Sequence, residues 1–555
     1  MNVNVKKYVI PPISALLFGL LYFYLAVPAI NLRAVGFWVM LVLCAAFGLG
    51  TRVLLMGGNL KELIAAKLAG EQTGKKGKKP FYYADKTGPS KRTVIITLIS
   101  VGAVVLLLVL AIICSSTRLF RADEYQKMLK VEEADFATDI AELPISQIPI
   151  VDRDTASRLG SRKIGEVVEL VSQFDVGDYY SQINYKGKPY RVSPLEYAGI
   201  LKWLANRGEG IPYYVTIDMA TQETNLVHLD EGMKYSPSEF FGRDLYRHVR
   251  MKYPTRMLDE LSFEIDEAGH PYWVMPYYNY SFGIFGGRDV MGIILVDAVT
   301  GDTEEYTVGE IPTWIDRVYS ADLVLKQANN WGSLVNGYFN SIFAQRNVVV
   351  TTDGYNYIAN DDDVWLYTGI TSVATDESNI GFILINMRTK EAKTYMINGA
   401  EEYSAMSSAE GQIQEKGYVA TFPILINVAD RPTYFISLKD NAGLVKAYAF
   451  VSVADYQIVG VADTITGAQA EYVRMLGVDV TPEEPPAETT TVSGTVTAVA
   501  TAVVEGFSVY YIRIEDAVYT ASIEVSDYLP FLAAGDAVTL SVKEDGTVVT
   551  LSLTP

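Results

Sequence analysis

Long apolar runs occupy the first 115 residues of the chain, and none of comparable length occurs in the rest of it. They span Tyr8–Ile30, Ala34–Gly50 and Thr93–Cys114. Each is close to the roughly 20 residues that a helix needs to cross the hydrocarbon core of a bilayer. The pattern therefore predicts a membrane domain over residues 1–115, with three transmembrane helices that have the lipid bilayer as their partner.

Beyond residue 115 the apolar positions form short runs that alternate with polar ones, a pattern typical of half-buried strands. The alternation is strongest in residues 492–555, where about five runs with short turns between them predict a small all-β domain. Residues 481–491, rich in proline, glutamate and threonine, predict an extended linker before it. We expect residues 116–174 to form a helical stalk or connector, and residues 175–480 to form a repeated soluble domain.

Two sequence units recur within residues 175–480. The first, I-[N/D]-x-x-G-x-P-Y-x-V, starts at residues 183 and 265 and predicts a strand, a tight turn at Gly187 or Gly269, and a second strand. The second is an apolar strand ending in Asp or Asn, followed by a turn with threonine, where short polar side chains bond the turn backbone. Its turn residues are Asp218 and Thr221, then Asp297, Thr300 and Gly301, then Asn386 and Thr389.

Helices are predicted between these units. S-P-L-E at 193–196 and S-P-S-E at 236–239 have the capping pattern of a helix N-terminus. Apolar spacing predicts two more helices, one from Ser320 and one over residues 399–416. The predicted fold class is α+β, with three N-terminal transmembrane helices, a repeated antiparallel hairpin-plus-helix domain and a small all-β C-terminal domain.

Charge sets the predicted orientation. The loop 52–92 between the second and third apolar runs carries 10 Lys or Arg residues and 3 acidic ones, whereas the loop before it has only Arg33. Loops that stay in the cytoplasm carry such a basic excess. We therefore expect a protein of the bacterial cytoplasmic membrane, with the N-terminus inside and residues 116–555 outside.

The soluble part is strongly acidic and lacks cysteine. Residues 1–115 hold 13 of the 46 basic and 3 of the 65 acidic residues, which leaves a net charge of −29 for the remainder. Such a domain repels nucleic-acid phosphates, so no nucleic-acid partner is predicted. Cys44 and Cys114 both lie in apolar runs, which excludes disulfides and thiol chemistry from the soluble part and favours a bacterial envelope protein.

Candidate chemistry is sparse. The three histidines, His228, His248 and His270, do not stand at metal-ligand spacing, and neither a G-x-S-x-G elbow nor a phosphate loop occurs. No catalytic residue and no cofactor are predicted. The acidic run of Asp361, Asp362 and Asp363 is a candidate calcium site, since hard cations prefer several oxygen ligands. The alternative for this run is a solvated turn.

An aromatic segment is the candidate binding surface. It consists of Tyr272, Trp273, Tyr277, Tyr278 and Tyr280. An exposed strip of this kind suits peptide or glycan binding, because these rings combine a large apolar face with a polar tip. Strand pairing and core filling are the alternative explanation.

The turn unit resembles a known family. The strand and D-x-x-T-G turn at Val296-Asp297-Ala298-Val299-Thr300-Gly301 resemble PepSY-type modules, small extracytoplasmic domains of bacterial protease propeptides and membrane proteins. The resemblance runs over about residues 175–475 as a tandem array, with Gln222 or Lys390 replacing the glycine in other copies. It implies binding or inhibition of a partner, without catalysis. Residues 492–555 resemble an OB-type barrel.

These patterns predict a membrane-anchored binding or scaffold protein of the cell envelope that is not an enzyme. Its expected partner is a secreted or envelope protein. The alternative is a carboxylate-based cell-wall hydrolase, which would require two facing carboxylates in a deep pocket. The sequence leaves the identity of the partner and the oligomeric state open.

Overall fold

The computed structural model describes residues 8–56, 91–360, 363–372, 378–477 and, apart from short gaps, 490–553. Most of the basic loop 52–92 and of the linker 481–491 therefore lies outside the described residues, as do Asp361 and Asp362. The chain divides into two compact units, Met1–Val478 and Asp479–Pro555.

The three apolar runs form helices α1 (Ile10–Ala26), α2 (Val35–Met56) and α3 (Lys91–Ser116). Helices α1 and α2 pack together, and the rings of Phe18 and Phe47 stack at 4.6 Å between centroids. Among the described residues one helix, Val35–Leu55, is long and apolar enough to cross a membrane, rather than the predicted three. Within the described residues the apolar stretches of the other two helices, Ile10–Ala26 and Gly102–Ser116, are shorter. The qualifying helix fits a membrane anchor or a signal sequence.

The segment predicted as a helical stalk is only partly helical. It contains α4 (Ala122–Gln126), β1 (Val131–Glu133), α5 (Phe136–Asp139), α6 (Arg153–Gly165) and α7 (Val168–Val171). Helix α6 begins after Asp152, whose carboxylate accepts a hydrogen bond from Thr155 N at 2.8 Å. Strand β1 pairs in parallel with a strand far along the chain, with Val131 opposite Ala392. The segment thus belongs to the folded domain that follows it.

Four sheets, preceded or interrupted by helices, make up the rest of the first unit. Sheet 1 contains β2 (Phe174–Val176), β3 (Ser181–Tyr185), β4 (Lys188–Tyr197), β5 (Ile211–Asp218) and β6 (Thr224–Met233), with α8 (Ile200–Asn206) after β4. Sheet 2 follows α9 (Leu245–Lys252) and contains β7 (Met257–Leu258), β8 (Ser262–Ile265), β9 (Pro271–Phe282), β10 (Gly286–Asp297) and β11 (Thr303–Thr307).

The second pair of sheets repeats this plan. Sheet 3 follows α10 (Ala321–Ser333). It contains β12 (Val349–Thr351), β13 (Asn356–Asn360), β14 (Asp363–Ser372), β16 (Gly381–Asn386) and β17 (Ala392–Tyr395). The short strand β15 (Ser378–Asn379) lies between β14 and β16 along the chain and is not part of this sheet. Strand β15 pairs with β18 (Gly399–Ala400). Sheet 4 lies between α11 (Glu402–Gln412) and α12 (Ile465–Leu476) along the chain. It contains β19 (Val419–Ala420), β20 (Ile424–Val428), β21 (Arg431–Lys439), β22 (Val445–Ser452) and β23 (Val459–Ala462).

In every sheet the first strand is split into two pieces. Both pieces pair with the same second strand, β2 and β3 with β4, β7 and β8 with β9, and likewise in sheets 3 and 4. The breaks fall at residues 177–180, 259–261, 352–355 and 421–423. The mixed α+β class is confirmed, and so are the helices predicted from Ser320 and within 399–416.

Two predicted helix starts were wrong. The S-P-L-E segment lies inside β4, where Ser193 and Pro194 pair with Val215 and Tyr214 of β5. Pairing within a sheet outweighs the local capping pattern there, because it satisfies the backbone and buries side chains as well. After S-P-S-E the helix begins only at Leu245, and its cap is Asp244, which accepts a hydrogen bond from Arg247 N at 2.9 Å.

Neighbouring sheets pack face to face. On β14, Val364 and Leu366 belong to a core shared with sheet 2, while Trp365 and Tyr367 belong to the opposite core. The Tyr367 hydroxyl donates to Pro423 O beside sheet 4 at 2.8 Å. Sheet 3 therefore has a partner on each side.

Sheet 1 also has two partners. Its Tyr214 hydroxyl donates to Gly269 O of sheet 2 at 2.8 Å, and its Gln222 side chain is hydrogen-bonded to Tyr448 of sheet 4. The four sheets thus close into a ring, the arrangement of a four-bladed β-propeller.

Residues 139–152, here called the closing segment, lie between sheet 4 and sheet 1. Asn427 Nδ2 donates to Ile140 O at 2.8 Å on the sheet 4 side. Ile150 N donates to Met219 O at 2.8 Å on the sheet 1 side. An ion pair at 2.6 Å joins Asp152 to Lys439 of β21. The closing segment therefore links the last sheet of the ring to the first.

The loop between α1 and α2 and the end of α3 contact sheet 2. Arg33, between α1 and α2, donates to Asn279 Oδ1 and to Tyr280 O, both at 2.9 Å. Ser116, at the end of α3, accepts hydrogen bonds from Ile284 N and Phe285 N at 3.2 Å. Both contacts lie at or near the turn between β9 and β10.

The second unit is a single five-stranded antiparallel sheet. Its strands are β24 (Thr490–Val504), β25 (Phe507–Ile514), β26 (Ala517–Ser522), β27 (Ala537–Val542) and β28 (Val548–Leu553), in the order β26-β25-β24-β27-β28. Within its described residues the edge strands share one bridge, Thr520 with Thr547, and no ladder. The all-β prediction is confirmed, whereas the described strands do not close into a barrel.

Candidate ligand cavity at the centre of the ring

The breaks in the four first strands surround a cavity of about 370 Å³. Each break contributes lining residues, among them Tyr180 from sheet 1, Glu260 from sheet 2, Tyr355 from sheet 3 and Phe422 from sheet 4. The closing segment adds Asp152. A concave site of this size is typical of small-ligand pockets.

Arg191, on β4, is the buried charge of this cavity, with 7% of its surface exposed. Among the described residues its guanidinium donates to uncharged oxygens, Val151 O at 3.2 Å, Tyr180 O at 3.3 Å and Gln182 Oε1 at 3.4 Å. Burial lowers the pKa of Arg191 to about 10, because removal from water disfavours its charged form.

Arg317 is the second arginine of the cavity. Its guanidinium donates to the Tyr357 hydroxyl at 2.9 Å and lies 4.3 Å from the centre of that ring. Within the described part of the chain neither Arg191 nor Arg317 forms an ion pair with a carboxylate. The hydrogen bonds of both guanidinium groups thus end on neutral partners, while the charges of Glu264 and Glu260 favour the charged form of Arg317.

The carboxylates around the cavity are solvated or occupied. Asp178 and Glu260 are exposed. Burial raises the pKa of Asp152, but the bonds from Lys439 and Thr155 outweigh it, so this pKa lies below its usual value. Behind the lining, the fully buried Glu264 accepts hydrogen bonds from Ser262 Oγ at 2.7 Å and from the backbone N of Asp316 at 2.8 Å. Burial raises the pKa of Glu264.

Tyrosines complete the wall. Burial raises the pKa of Tyr179 to about 12, and it also raises those of Tyr180 and Tyr355. These hydroxyls therefore stay protonated at neutral pH, so they can act as hydrogen-bond donors.

The aromatic segment predicted as a binding strip is divided by the fold. Trp273 and Tyr277 are buried, and Trp273 Nε1 donates to Tyr235 O at 2.9 Å. Tyr272, Tyr278 and Tyr280 are half-buried. Strand alternation sends successive rings to opposite faces of sheet 2, so the five residues do not form one surface.

The predicted turn residues occupy equivalent positions. Asp218 Oδ1 accepts from Thr221 N at 2.9 Å, and Asp297 Oδ1 accepts from Thr300 N at 3.0 Å. The third copy has the same bond, from Thr389 N to Asn386 Oδ1 at 2.9 Å. The next residue has a left-handed backbone in all three turns, with φ +64 at Gln222, +80 at Gly301 and +64 at Lys390. Gly187 and Gly269 also have positive φ, +73 and +83.

The remaining candidates have structural partners. Asp363 accepts two hydrogen bonds from Arg388, at 2.7 and 2.8 Å, and Asp361 and Asp362 fall outside the described residues. His270 lies 3.0 Å from the Asp297 carboxylate, and His248 Nε2 lies 2.7 Å from Gly301 O. His228 packs edge-on against Tyr213.

Sequence reasoning missed Arg191, although the repeat contained a signal for it. In the unit I-[N/D]-x-x-G-x-P-Y-x-V, Arg191 stands at the variable position before the last valine, where the second copy has Trp273. Trp273 is fully buried. An arginine at a position that is buried in the other copy of the repeat indicates a site that binds something, since arginine is rarely fully buried unless it is paired.

No protein-family model and no curated protein matches the chain. Among solved structures it is similar to a Bombyx mori GH32 beta-fructofuranosidase, with 10% identity, TM-score 0.18, and coverage of 73% of this chain and 70% of that one. A mutant of B. megaterium levansucrase matches with 8% identity, TM-score 0.18, and coverage of 76% of this chain and 97% of that one. At these TM-scores the similarity supports no argument about fold or activity.

Proposed function

We propose that this chain is a membrane-anchored binding protein of the bacterial cell envelope, and that a group of its ligand enters the central cavity. The observation that carries the proposal is the cavity itself, to which all four sheets contribute at the same structural position. Ligands bind preferentially in concave sites, and in a ring of sheets the concave site is the central cavity.

The contacts of sheet 2 support an extracytoplasmic orientation. Arg33 and Ser116 both bind the same region of sheet 2, so the loop after α1 and the end of α3 lie on one side. We propose that α1 and α3 cross the membrane together with α2, although their apolar stretches Ile10–Ala26 and Gly102–Ser116 are shorter than the qualifying helix. The N-terminus and the basic loop 52–92 then lie on the opposite, cytoplasmic side.

The surface beside α1 supports the same arrangement. Leu201 on α8 is 75% exposed, and the adjoining Phe241 is 62% exposed. Phe241 lines a second cavity together with Tyr24 and Leu25 at the end of α1. Exposed apolar side chains next to the end of a membrane helix are expected to meet the interfacial region of the bilayer.

The chemistry of the cavity favours binding over catalysis. A carboxylate hydrolase, the alternative, needs an acid whose pKa is raised and which reaches the substrate. The acid with a raised pKa next to this cavity is Glu264, whose oxygens are engaged by Ser262 and by the backbone N of Asp316 and Arg317. The resemblance of the turns to PepSY modules, which bind partners, points in the same direction.

The test is site-specific photo-crosslinking in intact cells. Tyr355, in the cavity wall and 41% exposed, is replaced by p-benzoylphenylalanine in the full chain. We expect one discrete cross-linked product, a secreted or envelope protein identified by mass spectrometry. The matched control is the same replacement at Tyr456, 46% exposed and outside the cavity lining, which should give no such product. Identical products from both positions, or none from Tyr355, would contradict the proposal.

A further inference from the structure

We propose that the cavity binds an oxyanion, a carboxylate or phosphate group of the ligand, through Arg191 and Arg317. This inference rests on the proposed function and names the chemistry that the ligand must present. It starts from a physical problem: a buried guanidinium is costly unless an opposite charge or a full set of hydrogen bonds compensates it.

Arg191 has that compensation only in part within the described residues. Each nitrogen of its guanidinium donates one hydrogen bond, but at 3.2 to 3.4 Å these bonds are long for a charged donor, and all three end on neutral oxygens. Burial has the largest effect on the pKa of Arg191 and disfavours its charged form; the charge of Asp152 favours that form, and the neighbouring charge of Arg317 disfavours it. An anion between the two arginines would relieve both the burial cost and the repulsion.

The nearby carboxylates fill this role only in part. The charge of Asp152 favours the charged form of Arg191, and the charges of Glu264 and Glu260 favour that of Arg317. Asp152 is paired with Lys439 at 2.6 Å and also caps α6. Asp178 and Glu260 are exposed, so they remain hydrated while Arg191 is withdrawn from water. The protein thus keeps its buried positive charge apart from its surface acids, in a soluble domain that is strongly acidic overall.

The wall of the cavity suits an oxyanion as well. Guanidinium groups match carboxylate and phosphate oxygens in pairs. The protonated hydroxyls of Tyr179 and Tyr355 supply further donors. A volume of about 370 Å³ admits the end of a larger molecule, such as an acidic side chain, a chain terminus or a phosphorylated group, but not a folded domain.

Isothermal titration calorimetry on the full chain in phosphatidylcholine nanodiscs tests the inference. The probes are succinate, its uncharged analogue succinamide, and inorganic phosphate. We expect succinate or phosphate to bind and succinamide not to bind. Succinate binding identifies a carboxylate ligand, and binding of phosphate alone identifies a phosphorylated one.

Three variants locate the site. Arg191→Met and Arg317→Met should each weaken anion binding at least tenfold, whereas Arg162→Met, an exposed arginine on α6, should bind as the unmodified protein does. If Arg191→Met fails to fold, Arg317→Met and the succinamide comparison decide the matter. Absence of binding for both anions, or undiminished binding by the cavity variants, overturns the inference.

Failure of this inference can be told apart from failure of the proposed function. A discrete cross-link from position 355 without any anion binding would support the proposed binding function. It would also show that the group which enters the cavity carries no negative charge. Anion binding without a cross-linked partner would retain the oxyanion site and remove the envelope partner.

Discussion

At the scale of single residues, three turn glycines differ only in what surrounds them. All have a left-handed backbone, which a side chain tolerates at a cost of about 1 kcal/mol or more. An added methyl group at Gly187 would meet no atom within 4 Å. At Gly269 it would lie 3.2 Å from the Tyr214 hydroxyl, and at Gly301 it would lie 2.3 Å from the ring of Tyr235.

Alanine substitutions at these glycines should therefore form a graded series. We expect Gly187→Ala to lower the free energy of unfolding by about 1 kcal/mol from backbone strain alone. Gly269→Ala should cost somewhat more, and Gly301→Ala about 3 kcal/mol or more, because the Tyr235 ring must move. Chemical denaturation of the full chain in detergent measures all three. Equal losses would show that the surroundings of the turns do not matter.

The turn residues could be predicted from the sequence of a single turn, whereas Arg191 stands out only when the two copies of the repeat are compared. A turn is a local structure, so an Asp, a Thr and a Gly at fixed spacing determine it independently of the rest of the fold. The contact of Arg191 with Gln182 forms within the hairpin of β3 and β4, but its contact with Val151 of the closing segment joins residues 40 positions apart. The sequence around Arg191 alone does not contain that second contact.

At the scale of elements, the ion pair between Asp152 and Lys439 joins α6 to β21. Asp152 also caps α6 through Thr155 N. Asparagine is an equally good helix cap, so Asp152→Asn removes the ion pair and keeps the cap. The variant therefore isolates the contribution of the pair to closing the ring.

The pH dependence of this variant follows from the lowered pKa of Asp152. A carboxyl whose pKa is lowered by folding stabilises the protein above the pKa of the unfolded chain, about 3.9, and this stabilisation disappears as the pH falls through the lower folded value. We expect Asp152→Asn to cost about 1 kcal/mol at pH 7 and almost nothing near pH 2. Melting temperatures across this range check it. Asp154→Asn, in an exposed pair with Arg158, is the control and should change little at any pH.

The elements show where sequence reasoning ends. The hairpins follow from alternation and turn residues, which are local. The segment at Ser193, where a helix was expected, belongs to strand β4. The pairing of β4 with β5 involves residues about 20 positions away, which the local pattern does not include. The face-to-face packing of the sheets depends on both faces of each strand being buried, as in β14, and strand alternation alone does not reveal which sheet covers which face.

At the scale of the whole molecule, the proposed three crossings make a topology prediction. Protease added to intact wall-free cells should remove the mass beyond residue 116, apart from regions protected by folding. It should leave the basic segment Lys75–Lys79 uncut, because lysine-rich loops stay in the cytoplasm. Immunoblotting with antibodies to each region reads out the result. Cleavage within Lys75–Lys79 in sealed cells would reverse the assignment.

The parallel pairing of β1 with β17 has a consequence for biogenesis. Val131 pairs with Ala392, and Ile140 O accepts a hydrogen bond from Asn427. The residues from β1 to the closing segment therefore have these partners only after most of the first unit has been made. If the chain is exported in the order of its synthesis, β1 and the closing segment stay unpaired until the later sheets have been exported. Unpaired strand edges invite aggregation and proteolysis. Translation that stops before about residue 430 should therefore yield a product that cannot close its ring, which the quality-control proteases of the envelope would remove.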